Sequence, residues 1–417
     1  MLKQVEGSRA VAETIALCRP EVVCAYPITP QTHIVEAVGE MVREGTLAPC
    51  EFINVESEFS ALSVAIGASA GGARAYTATA SQGLLFMAEA VFNAAGMGLP
   101  IVMTVANRAI GAPINIWNDQ SDSMALRDSG WLQLYATSNQ EAVDLHIIAF
   151  RLAEAVSLPV MVCMDGFVLT HAYERVDIPE QAEVDAYLPG FEPRQLLDPA
   201  EPVTMGAMVG PEAFTEVRYL AHVRQMQALE LLPTLAREFE ARFGRDSGCL
   251  IQRYRSEDAD TIVVALGSVV GTLQEVIDTL RDAGHAVGVL AIRAFRPFPL
   301  AEVHDALVDA KRVIVLERAF AVGQGGIVAD SVRKALQGLP APIHTVVAGL
   351  GGRPITQASL RGMIERGMRD ELPSVTFLDL QTDVVERALE RERTSRRSGP
   401  VAEGVLKDLG VKAMQYV

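Results

Sequence analysis

Short runs apolar at nearly every position recur along this chain, each followed by residues with helical periodicity. Val22–Ala25, Ala75–Thr79, Pro100–Ala106 and Pro159–Met164 form the first series, and Thr261–Leu266, Ala286–Ala291, Arg312–Leu316 and His344–Ala348 the second. A strand apolar on both faces has to be covered on both faces, and alternation with helices calls for a parallel sheet. The fold class is therefore α/β, built twice. At 417 residues the chain exceeds one ordinary core. The pattern divides it into a first α/β unit over 1–175, an inter-domain connection over 176–258, a second α/β unit over 259–385 and a charged extension over 386–417. Pro179, Pro189, Pro193, Pro199 and Pro202 punctuate the connection before a long helix near 212–243. His344–Ala348 reads as the last strand, and Arg391, Arg393, Arg396 and Arg397 mark the extension as solvated or partner-clasping.

Composition excludes several function classes. A net charge of -16 is the wrong sign for nucleic acid. The cysteines at 18, 24, 50, 163 and 249 stand far apart, with no Cys-x-x-Cys, so zinc or an iron–sulfur cluster on this chain is not expected. Reduced, buried thiols in a cytoplasmic protein fit that spacing. The N-terminus has no apolar leader and no run approaches a membrane span, so no membrane partner is expected. Gly323-Gln324-Gly325-Gly326 lacks the spacing of a dinucleotide fingerprint, and close helix packing is the expected use of those glycines.

Chemistry concentrates at the carboxyl ends of the first strands. After Val22–Ala25 comes Tyr26-Pro27-Ile28-Thr29-Pro30-Gln31-Thr32, which reads as a strand running into a helix, with Thr29 as N-cap and Pro30 in the first turn. Such a start aims free N–H groups at the crevice where open α/β folds bind small acids. Glu56 and Glu58 follow the strand Phe52–Val55, with Ser57 capping a helix to Ala70. Acidic residues favour that position whatever their function. Arg108 follows the apolar strand at 100–106 and can pair both oxygens of a carboxylate. A structural ion pair with Asp119 or Asp122 is the competing use.

Gly7-Ser8-x-Ala10, the Tyr26–Pro30 turn, Ser57-Glu58, Thr79-Ala80-Ser81-Gln82-Gly83, Asn107-Arg108-Ala109 and Asp165-Gly166-Phe167 occur in one order. Together they closely resemble the α subunit of the 2-oxoacid:ferredoxin oxidoreductases, and the resemblance covers roughly residues 3–385. It implies a pyrimidine-type domain of a thiamin diphosphate site, followed by a transketolase C-terminal-like domain. It also implies that Glu58, rather than Glu56, hydrogen-bonds the aminopyrimidine ring and helps move a proton from the thiazolium carbon. Pro27 and Ile28 would touch the cofactor, and Thr29 and Arg108 the carboxylate and keto group of the substrate.

The family's diphosphate–magnesium motif, Gly-Asp-Gly with a later Asn, is absent; Met164-Asp165-Gly166 is not it. The resemblance therefore implies a β subunit carrying magnesium and a 4Fe–4S cluster, with γ and ferredoxin-like δ subunits for coenzyme A chemistry and electron exit. A flavoprotein subunit with FAD would pass electrons to NAD. The implied reaction is oxidative decarboxylation of a 2-oxoacid to acyl-CoA and CO2. Gly111 stands where pyruvate-type relatives carry a serine, which sets an aryl acid such as phenylglyoxylate level with pyruvate and above 2-oxoglutarate. A non-catalytic scaffold of a redox complex and a non-redox, transketolase-like half-enzyme are the competing readings.

Overall fold

In the computed structural model, described over residues 2–247, 249–395 and 399–411, the strands of the first half are β1 (Leu2–Glu6), β2 (Val22–Ala25), β3 (Glu51–Asn54), β4 (Ala75–Thr79), β5 (Val102–Asn107), β6 (Leu132–Tyr135), β7 (Val160–Asp165) and β8 (Tyr173–Asp177). Those of the second half are β9 (Ile251–Tyr254), β10 (Thr261–Ala265), β11 (Val287–Ile292), β12 (Ala294–Arg296), β13 (Arg312–Glu317), β14 (Ile343–Val347) and β15 (Val375–Phe377). One sheet has the order β12-β6-β7-β5-β4-β2-β3, the other β15-β14-β13-β10-β11-β9, and β1 pairs with β8 as a separate ribbon. Both large sheets are parallel except for β12 and β9, each antiparallel to its one neighbour.

The both-face apolar strands are buried as the pattern requires: every residue of β4, β5, β7, β10 and β11 is inaccessible. On one face of the first sheet, helices Gly7–Leu17, Thr32–Arg43 and Asn139–Val156 supply Val11, Ile15, Ile34, Val38, Leu145 and Phe150. The second half of the long helix Phe214–Phe243 closes over them through Leu232 and Phe239. The opposite face shares a core with the second sheet. Leu62 and Val91 from the first half meet Val264, Val303, Val315 and Val332 from the second in one cluster. A third core, around Leu273, Ile277, Leu360 and Ile364, covers the outer face of the second sheet. The two sheets are thus welded through a common middle layer, since burying apolar area there stabilises both at once.

Several details differ from the sequence pattern. The helical stretch after β4 divides at Met87, whose side chain enters the core while its backbone leaves helical values (φ -91°, ψ 12°). His344–Ala348 is not the last strand, because Val375–Phe377 adds in parallel beyond it. Chain from beyond β11 crosses back as β12 to pair with β6 in the first sheet. The extension forms helices Thr382–Thr394 and Val401–Asp408, tied by Arg391 Nη2 to Asp408 Oδ2 at 2.6 Å. Arg396 and Arg397 lie outside the described residues. The expected close packing is found at Gly326, where a Cβ would sit 2.0 Å from Glu317 Oε1.

Glu317 lies beneath the helix Ile327–Ala335 and accepts N–H bonds from Ile327 (2.6 Å), Val328 (2.8 Å) and Ala329 (3.3 Å). Burial pushes its carboxyl up to about 7, although the three donors pull the other way. The folded chain therefore holds a proton that an unfolded glutamate releases near about 4.3. That stabilisation is complete below the unfolded value and is lost as pH rises through about 7. Glu317→Gln is expected to show a flatter fall in melting temperature between about pH 5 and about pH 8. Parallel profiles for the two proteins would contradict this.

Candidate active site

Parallel strands deliver their carboxyl ends to one edge, and the order β3-β2-β4-β5-β7 sets the candidate residues side by side there. The turn after β2 is organised by Gln31 rather than by Thr29. The Gln31 amide is fully buried, donating to Ala78 O (2.6 Å) and Tyr26 O (3.4 Å) and accepting from Ile28 N (3.3 Å). The helix begins two residues later than expected, at Thr32, with Gln31 at the cap. Thr29 is consequently an exposed turn residue, not an N-cap, and its hydroxyl has no partner among the described residues. Pro27 is exposed and Ile28 half-buried on the same turn.

Ser57 caps the next helix as expected, accepting the N–H of Ser60 at 3.3 Å. The structure separates the two glutamates that flank it. Glu56 is exposed and bonded to the Ser60 hydroxyl, which draws its carboxyl below the usual range. Glu58 is only 8% exposed and lies over the start of the helix after β4. A Cβ at position 83 would meet Glu58 Oε1 at 2.5 Å and Thr79 Oγ1 at 2.7 Å, so only glycine leaves room for this carboxylate. Its oxygens have no hydrogen-bond partner among the described residues, and the buried Thr79 hydroxyl is also unpartnered. A nearly buried carboxylate and an orphaned hydroxyl at an open sheet edge are fitted to a polar ring that accepts and donates hydrogen bonds.

Arg108 forms neither of the ion pairs with Asp119 or Asp122 that the sequence left open. Its guanidinium donates to backbone carbonyls instead, from Nη1 to Thr29 O (2.9 Å) and from Nε to Asn115 O (3.4 Å). Neutral carbonyls do not neutralise its charge, and burial draws its pKa down against the pull of the nearby Asp122. Thr29 and Arg108, far apart in sequence, are therefore brought into contact at one edge. Asp122 takes backbone N–H groups, those of Ser81 (2.9 Å) and Arg108 (3.0 Å), with the Asn107 amide at 2.7 Å. It pins the ends of β4 and β5 together, and burial pushes its carboxyl up to about 6. No motif marked Asp122; the signal was an acid in the polar run Asn118–Ser123, which a both-face-covered sheet has to bury.

Asp165, at the end of β7, reaches the second sheet. It accepts from Arg318 Nη1, Ser268 N and Gln120 Nε2, each at 2.8 Å, and is 1% exposed. The five cysteines are free, and burial pushes the Cys24 thiol up to about 11.

Residues 13–234 match the family described as pyruvate flavodoxin/ferredoxin oxidoreductase, thiamine diphosphate-binding, and 259–360 match core domain II of pyruvate:ferredoxin oxidoreductase. The pyruvate synthase subunit PorA of Methanosarcina barkeri is 45% identical over 390 residues, covering 91% of this chain and 97% of its own. The chain belongs to the 2-oxoacid:ferredoxin oxidoreductase family, as an α subunit. PorA of Methanothermobacter thermautotrophicus is 46% identical, covering 92% and 99%. The ketoisovalerate oxidoreductase subunit VorA of Pyrococcus abyssi is 41% identical, covering 87% and 92%. In fold, the chain resembles a 2-oxoglutarate:ferredoxin oxidoreductase of Magnetococcus marinus at a TM-score of 0.67 and 20% identity, over 88% of this chain and 65% of that one. A split-gene transketolase gives a TM-score of 0.52 at 13% identity, over 88% and 99%. The α/β architecture expected from the apolar strands is thus that of the thiamin enzymes. No described helix is long and apolar enough to cross a membrane.

Replacing Asp122 with Ala takes the acceptor from the backbone N–H groups of Ser81, Arg108 and Ser123, and one of two acceptors from the Asn107 amide. Each buried unpaired donor costs about 1–3 kcal/mol. The Asp122→Ala chain is expected to lose at least about 2 kcal/mol in urea unfolding, and an unchanged midpoint would show that these donors find other partners.

Proposed function

We propose that this chain supplies the pyrimidine side of a thiamin diphosphate site in a cytoplasmic enzyme complex that oxidatively decarboxylates pyruvate with coenzyme A, giving acetyl-CoA and CO2. The observation that carries the reading is the Glu58 carboxylate, nearly buried, unpartnered and cradled over Gly83 at the sheet edge. When bound, thiamin diphosphate supplies the nucleophilic carbon and the electron sink for decarboxylation. Glu58 holds a proton at the ring nitrogen of the aminopyrimidine, and the low exposure of its site keeps water from competing for that bond. Pro27 and Ile28, on the turn after β2, would help hold the ring. Arg108, anchored by two carbonyls on its Nε and Nη1, would offer its remaining donors to the substrate carboxylate, and the hydroxyl of Thr29, whose backbone carbonyl is one of those two, would take the keto oxygen.

The two α/β units act differently in this reading: residues 1–175 carry the cofactor contacts and 259–385 support them. The diphosphate end and its magnesium belong to a β subunit that also holds an iron–sulfur cluster. Smaller γ and δ subunits complete coenzyme A chemistry and electron exit to ferredoxin, and a flavoprotein would divert electrons to NAD.

Pyruvate is preferred to an aryl acid for a structural reason. Gly111 has φ +83°, and a Cβ there would meet nothing within 4 Å. The position faces open space, so its missing side chain leaves no gap in a packed wall and does not argue for a widened pocket. The PorA names of the relatives point the same way. A dicarboxylate would need a second free cation, and the buried Arg318 is committed to Asp165.

In the assembled complex, Glu58→Gln is expected to retain assembly and lose roughly 10²–10⁴-fold in kcat. Near-normal turnover would remove Glu58 from the chemistry. Arg108→Leu is expected to raise the KM for pyruvate more than it lowers kcat, and an unchanged KM would return Arg108 to a structural role. Turnover of 2-oxoglutarate or phenylglyoxylate in preference to pyruvate would overturn the substrate assignment.

A further inference from the structure

Arg108 heads a loop that runs to Gln120, and this loop is gripped from the other sheet. Its own closure is local: Ala109 N donates to Trp117 O (3.1 Å), and Trp117 N donates to Asn115 Oδ1 (2.8 Å). The Asn115 backbone carbonyl then accepts from Arg108 Nε at 3.4 Å. Across the crevice, the turn Gly349–Gly352 follows β14 of the second sheet. Asn115 Nδ2 donates to Gly351 O (3.1 Å), Gly352 N donates to Asn118 O (2.8 Å), and Gly351 N donates to Asp119 Oδ2 (3.3 Å).

The approach is close enough to dictate residue type. Gly351 and Gly352 have φ of +61° and +82°. A Cβ at 351 would lie 2.6 Å from Asn115 Nδ2, and one at 352 would lie 2.4 Å from Trp117 Cβ. Glycine is required there on both counts, conformation and space. Asn115 occupies the junction: its side chain bonds the second sheet's turn while its carbonyl bonds the guanidinium.

We propose that Asn115 is a positioning residue for substrate capture, through which the Gly349–Gly352 turn of the second sheet sets the direction of the Arg108 guanidinium. The inference rests on the reading of Arg108 as the carboxylate-binding group, and it gives the second α/β unit a part in substrate recognition although it holds none of the residues that would touch the substrate. An arginine held by carbonyls on one side presents the other side in a fixed direction, and that preorganisation is what a bidentate carboxylate contact needs.

The test uses the complete complex. Asn115→Asp keeps the acceptor for Trp117 N but cannot donate to Gly351 O, so it removes the cross-sheet bond and spares the local turn; Asn115→Ala removes both. Asn115→Asp is expected to raise the KM for the 2-oxoacid about 2- to 10-fold, the effect of one lost neutral hydrogen bond, and Asn115→Ala at least as much, while the KM for coenzyme A stays as it was. Introduced into Arg108→Leu, Asn115→Asp should add no further rise, since the effect passes through the missing guanidinium. An unchanged 2-oxoacid KM in Asn115→Asp alongside a raised one in Arg108→Leu overturns the proposal, as does a fully additive double variant. An Arg108→Leu complex with normal KM overturns instead the reading on which the proposal stands.

Discussion

A buried ion pair fixes how the two carboxyl edges face one another. Asp165 at the end of β7 and Arg318 after β13 meet at 2.8 Å with only 1% and 10% of their side chains exposed. Burying two charges is costly unless both are well bonded, and removing either would leave the other uncompensated. Here Ser268 and Gln120 saturate the remaining acceptor positions of Asp165. The pair also governs neighbouring backbone: Gln120 N donates to Arg318 O at 2.9 Å, so the loop that begins at Arg108 ends against the second sheet. Everything at the substrate side of the crevice hangs from that junction.

This arrangement explains why the candidate site is spread over one sheet yet depends on two. Glu58, Thr29 and Arg108 come from three strand ends of the first sheet, brought together because β3, β2, β4 and β5 are consecutive neighbours. Asp122 pins β4 to β5 from below, and Asn115 and Asp119 are held from the other side by a glycine turn. The residues that would meet ligand are left without saturating partners, whereas the supporting carboxylates Asp122 and Asp165 each accept several hydrogen bonds. Unpaired polar groups are tolerated in a folded chain where a ligand completes them.

What could be read from sequence follows the range of the forces involved. Helix Glu58–Ala70 and its Ser57 cap were legible because capping is settled within four residues. The buried strands were legible because covering both faces leaves an unbroken apolar run. Thr29 was misread as the N-cap because the residue that organises the turn, Gln31, is bonded to Ala78 as well as within its own turn, and no local rule ranks a glutamine amide above a threonine hydroxyl there. β6 and β12 escaped notice for a related reason: each is short, and β12 pairs with a strand of the other sheet. The choice of Glu58 over Glu56 needed either the family register or the structure, since only burial distinguishes two glutamates two residues apart.

The account turns on a bond between one side chain of this subunit and the pyrimidine ring of a cofactor held partly by another. An experimental density map of the complete complex with thiamin diphosphate bound tests it most directly. A Glu58 carboxylate oxygen within about 3 Å of the aminopyrimidine ring nitrogen is the expected result. A ring bonded elsewhere, with the Glu58 side chain directed away from it, would contradict the account.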